Sequence, residues 1–182
     1  QNKIKKVIKY LAGEKGLMFL ENYKTQHLKL TLLLEKKLRE NLRKAFWNNL
    51  EAELLEEPPN YMQISDLFKD VKKMYMSIIS CINDKDKRAT YENEFNSILD
   101  IEYIELLLDN NRLNEEIILN TCVNILDQIK TIGIPKNDSV IVKMIAKKDK
   151  SAFELSSVFK LIIKLLEELQ KFFMNKMINE AK

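Results

Sequence analysis

Glycine and proline are scarce, three of each in 182 residues. So few breakers do not supply the tight turns that an all-β fold requires, which leaves a helical chain. Histidine is scarcer still. His27 stands alone, so neither a multi-histidine metal centre nor a serine or cysteine triad can be assembled unless that one side chain works by itself. It reads as a surface or helix-flank residue. The two cysteines, Cys81 and Cys122, have no metal-ligand spacing around either. In a helical chain without a secretory signal they read as reduced packing residues.

Other absences narrow the chemistry further. Gly13 and Gly16 are followed by "LMFLENY", which lacks the lysine and hydroxyl of a phosphate-cradling loop. Asn83 to Lys87, "NDKDK", imitates the alternation that opens a calcium loop, but the central glycine and closing glutamate are missing, so it reads as a plain charged loop. Glutamate pairs such as those in "ELLEEPPNY" and "LLEEL" read as solvated helix faces rather than acid–base machinery. The longest apolar runs, "LTLLL" and "LIIKLLEEL", are broken by charge well short of the roughly 20 residues of a membrane span. A soluble, cytoplasmic, non-enzymatic protein with no metal and no cofactor is expected. Gln1 in place of methionine reads as the start of an expressed fragment or processed piece of a longer protein.

Hydrophobic residues make up 46% of the chain, enough for one domain of this length to bury a core without staples. Net charge is only +3, yet residues 1–50 hold twelve lysines and arginines against four glutamates, a balance of +8 that leaves −5 for the rest. Such a basic amphipathic start suits anionic lipid, nucleic acid or an acidic protein surface, or simply keeps a helix face solvated. Lys3, Lys5, Lys6 and Lys9 are its candidate electrostatic contacts.

Apolar periodicity places the helices. Ile4, Val7, Ile8 and Leu11 share one face of a short helix that Gly13 and Gly16 are expected to end. Leu30, Leu34, Leu38, Leu42, Phe46, Leu50 and Leu54 then recur at every fourth position. Four residues advance about 400°, so the row creeps about 40° per step, and the long helix is expected to be the central member of a bundle. Pro58 and Pro59 stop it. Asn60 and Gln63 have the spacing of a capping box for a helix through Ile64, Leu67, Phe68, Val71, Tyr75 and Ile78. A helix over "TYENEFNSIL" follows, then helices capped by Asp100 and by Asn114, the latter closed by Gly133 and Pro135. A short helix through Val140 and Met144, and a long last one opened by Ser151 and Glu154, complete the order. The expected fold is all-α, a bundle of about seven to nine helices over residues 1–182, with residues 1–26 a basic amphipathic segment and residues 27–182 the helical core.

One stretch is distinctive: "KAFW" at Lys44–Trp47, "LEA" at Leu50–Ala52, a short acidic tail and the prolines at 58 and 59. With "ILDIEYI" (Ile98–Ile104), "DNNRLNEEIILNTCVNIL" (Asp109–Leu126) and "FELSSVFKLIIKLLEEL" (Phe153–Leu169), it resembles the t-complex protein 11 family from about Lys36 to Lys171. The family's usual cysteine-alanine-proline turn and arginine-aspartate pair are replaced by "GIPKND", Gly133 to Asp138, which keeps only the proline and the aspartate.

The resemblance implies a regulatory role in cyclic-AMP and protein kinase A signalling, with no catalysis, through protein partners that include components of that kinase pathway. The alternative is an electrostatic module on anionic membrane or nucleic acid. Phe46, Trp47, Leu50, Pro58 and Pro59 are expected to be structural anchors, the two aromatics each burying about 150–250 Å² against neighbouring helices.

Overall fold

The computed structural model describes residues 2–133, 139, 141–142 and 153–180. Among them the chain is all-helical: α1 (Asn2–Leu54), α2 (Met62–Ile79), α3 (Lys85–Ile98), α4 (Ile101–Asp109), α5 (Glu115–Ile132) and α6 (Phe153–Glu180). Six bounded helices stand among the described residues, where seven to nine were expected of the whole chain. Ser139, Ile141 and Val142, in the expected helix through Val140 and Met144, are helical, while Val140, Met144, the Ser151 cap and Pro135 lie outside the described residues. Contacts divide the chain into two compact units, residues 1–48 and 49–182, whereas the sequence pattern suggested one domain with an internal division after residue 26.

In the first unit, Gly13 interrupts α1 with φ 64° and ψ −161°, a conformation that side-chain-bearing residues avoid. The chain reverses there. Lys5 and Glu21, which a straight helix would hold about 24 Å apart at 1.5 Å per residue, form an ion pair of 3.0 Å, and Lys9 pairs with Glu14 across the break. Gly16 does not end a helix; it continues one.

The second unit holds the core. α6 packs on both α2 and α5, α4 and α3 lie against α2, and α3 also meets α5. Leu155, Phe159, Ile162, Leu166 and Leu169 of α6 are all buried. Their spacing alternates three and four residues, so the stripe stays on one side of the helix and meets the same neighbours along its length. Phe159 stands edge-on to Phe68 of α2 at 5.1 Å, and Tyr75 of α2 stacks on Phe95 of α3 at 3.7 Å. Of the two long helices it is therefore α6, and not α1, that is packed into the core, which corrects the expectation for α1. Leu30, Leu34, Leu38 and Leu42 are 56–61% exposed, and only Leu50 and Leu54 of that creeping row are buried. A row that winds about 40° per step turns Leu54 about 200° from Leu34, so one neighbour does not cover both ends.

Local chemistry sets the helix starts. Asp100 accepts the amide of Tyr103 at 3.1 Å and Asn114 that of Ile117 at 3.0 Å, each satisfying a first-turn donor. Asp84 does the same for Asp86 and Lys87, so "NDKDK" is a cap and first turn rather than a loop. Asn111, at φ 52°, closes α4 in the left-handed region that asparagine tolerates. Gly133 is the residue that caps the end of α5.

Candidate protein-interaction surface

α1 ends at Leu54, before the prolines. The corner that follows is built on Glu53. Its carbonyl accepts the Asn60 amide at 3.0 Å, and its carboxylate accepts Asn49 Nδ2 at 3.0 Å and Gln63 Nε2 at 2.7 Å. Asn60 Oδ1 accepts the Met62 amide, but Gln63 reaches Glu53 instead of turning back, so the expected capping box is not formed. Pro58 and Pro59 are exposed on this corner.

The "LEA" segment proves to be the true attachment. Leu50 is 0% exposed. Glu51 Oε1 accepts Ser156 Oγ at 2.7 Å and Lys160 Nζ at 2.8 Å, joining the end of α1 to α6. These two hydrogen bonds, Lys160's first, hold the Glu51 carboxyl below its ordinary value of 4.5, against the opposing effect of burial. Sequence reasoning missed Glu51 because its partners lie more than a hundred residues away. The only local signal was its place between buried Leu50 and the corner.

Phe46 and Trp47 are neighbours near the end of α1, and Phe46 departs from the buried anchor role expected of it. They stack edge-on at 5.2 Å, but Phe46 is 38% exposed and Trp47 is half-buried. Neither is among the buried hydrophobic side chains. Phe46 instead continues the uncovered row of Leu34, Leu38 and Leu42. Between these leucines Glu35 pairs with Arg39 at 3.8 Å and Lys36 with Glu40 at 3.9 Å, exposed one-turn contacts worth about 0.3–0.5 kcal/mol each.

The four N-terminal lysines differ in their surroundings. Lys5 and Lys9 hold glutamate partners, Lys6 is exposed, and the side chain of Lys3 lies outside the described residues. His27 is exposed on α1, with its ring 6.2 Å from that of Tyr23. Cys122 is fully buried, which pushes its thiol pKa up and makes it an inert packing residue. Cys81 is half-buried. It lines a cavity of about 250 Å³ with Ile82 and, from α6, Phe173 and Met177. Among the described residues no group of three or more His, Cys, Asp or Glu side chains is placed to hold a metal ion, and no helix is long and apolar enough to cross a membrane.

What emerges, among the described residues, is an all-helical fold with an uncovered leucine-bearing helix surface. Residues 14–182 match the T-complex protein 11 family, and the chain belongs to that family. The match extends beyond the Lys36–Lys171 span of the motif resemblance at both ends. No solved structure matches the chain.

Proposed function

We propose that this protein is a non-enzymatic helical adaptor in signal transduction, acting in the cytoplasm on partners of the cyclic-AMP and protein kinase A pathway. One structural observation supports an adaptor above all. Leu30, Leu34, Leu38 and Leu42 of α1 are more than half exposed on a helix that is already formed. A row of large apolar side chains at one-turn spacing is the form in which a helix offers itself to a partner's groove. The second unit, by contrast, buries its own apolar stripes against one another.

The electrostatic alternative rests on the +8 balance of residues 1–50. It is weakened by the pairing of Lys5 and Lys9 with Glu21 and Glu14, because those lysines must exchange a glutamate for each phosphate they contact. Affinity capture from the protein's own cell extract at low and high salt separates the readings. Salt-resistant recovery of kinase subunits that is lost in Leu34→Glu/Leu38→Glu is the expected result. Recovery at low salt only, lost instead in Lys5→Glu/Lys6→Glu/Lys9→Glu, would overturn the adaptor reading.

A further inference from the structure

We propose that the leucine row of α1 is the docking segment for an acidic-rimmed, methionine-lined groove of the kind that calcium opens in EF-hand proteins. This rests on the adaptor reading and names the chemistry of one partner. Three observations carry it.

The first is charge. Residues 1–48 contain twelve basic and four acidic side chains, a balance of +8. A second copy of the same unit brings like charge to like, which opposes self-association along this face, whereas an acidic rim is complementary to it.

The second is the distribution of apolar groups around the helix. Leu28, Leu30, Leu32, Leu33 and Leu34 are each at least half exposed. At 100° per residue they fall on all sides of the helix, with no leucine-free arc wider than about 120°. A lipid surface covers one side of an interfacial helix and leaves the opposite leucines in water. A groove encloses a helix on several sides and covers them.

The third is the creep of the row. Leu34, Leu38, Leu42 and Phe46 advance about 40° per step, so they do not lie along a straight, rigid slot. Unbranched methionine side chains repack to accept such a path, and calcium-opened EF-hand grooves are lined with them. A basic helix that carries large exposed apolar side chains matches such a groove in charge and in chemistry.

The test uses the whole chain and calcium-loaded calmodulin as the probe, followed by titration calorimetry in excess calcium and again in EGTA. Binding with a Kd below about 1 µM in calcium and none in EGTA is expected. Leu34→Glu/Leu38→Glu/Leu42→Glu, all at exposed positions and with a strong helix former, should keep the far-ultraviolet circular dichroism and weaken binding at least ~30-fold. Lys29→Glu/Lys37→Glu/Lys44→Glu retains the leucines and should weaken binding while flattening its salt dependence. The proposal is overturned by absence of calcium-dependent binding, or by equal binding of the leucine variant. It is also overturned if the row instead mediates flotation with phosphatidylserine vesicles or a sedimenting homodimer. A chain that captures kinase subunits through the leucine row yet ignores calmodulin loses this inference and keeps the adaptor reading.

Discussion

The junction of Glu51 with Ser156 and Lys160 gives the sharpest stability prediction. Ser156 is 1% exposed, so removing the carboxylate in Glu51→Ala strands a buried hydroxyl, at a cost of about 1–3 kcal/mol. The ion pair adds little: the Lys160 and Glu51 side chains are 41% and 30% exposed, and solvent screening limits such a pair to about 0–1 kcal/mol. Glu51→Ala should thus cost about 2–3 kcal/mol, lowering Tm by roughly 5–10 °C in a chain of this size. Glu51→Gln keeps an oxygen for Ser156 and should cost about 1 kcal/mol or less. Adding Ser156→Ala to Glu51→Ala removes the stranded hydroxyl and should restore about 1 kcal/mol. Urea unfolding followed by circular dichroism measures all three. The pH dependence has a definite sign. The folded carboxyl lies below its ordinary 4.5, so the stabilisation is fully present above 4.5 and is lost as pH falls through the folded value. The gap between wild type and Glu51→Gln should close over that acid window. A gap that persists below it, or an added Ser156→Ala that restores nothing, would refute the assignment.

Three further outcomes follow from burial and backbone geometry. Leu50→Ala, at a 0% exposed site, should cost about 2–5 kcal/mol, while Phe46→Ala, at 38% exposure, should cost under about 1 kcal/mol; equal losses in urea melts would restore Phe46 to the core. The Tyr75 hydroxyl is buried without a hydrogen-bond partner among the described residues, so Tyr75→Phe should keep the stack on Phe95 and raise stability by about 1 kcal/mol. A loss of stability would reveal a partner for the hydroxyl. In Gly133→Ala the new Cβ would meet the Ile129 carbonyl oxygen at 2.5 Å, and a Tm drop corresponding to about 1–3 kcal/mol is expected from the forced shift of backbone; an unchanged Tm would show that the end of α5 yields without cost.

Helix class and helix starts were legible because their causes are local. Asp100 and Asn114 cap first turns within three residues of themselves, and α2 displays its buried face as Ile64, Leu67, Phe68, Val71, Tyr75 and Ile78. The spacing difference that decides which long helix is packed into the core was also on the page. Alternating three and four residues keeps the α6 stripe on its neighbours, and a strict four turns the α1 row away from any single one. Periodicity shows that a face is apolar, but not that a partner covers it, so the exposure of Leu34, Leu38 and Leu42 could not be read. Nor could the corner. Gln63 has the spacing of a capping box, but it bonds a carboxylate ten residues back, and Glu51 owes its role to side chains on the last helix. The exposed lysines and leucines of α1 were visible as composition, whereas the reversal at Gly13 that pairs Lys5 with Glu21 depends on a single backbone angle.

The packing of the last helix, α6, on both α2 and α5 governs the order in which the second unit can be completed during synthesis. The hydrogen bond from Lys160 to Glu51 spans 109 residues, which at ~5–20 residues per second separates the emergence of its two ends by roughly 5–20 s. Once Ile132 has emerged, α2 and α5 wait about 28 residues more, roughly 1–6 s, with the faces that will meet α6 still wet. A chain stalled before Phe153 leaves the apolar faces of α2 and α5 without the helix that covers them, and Phe68 without the ring it meets edge-on.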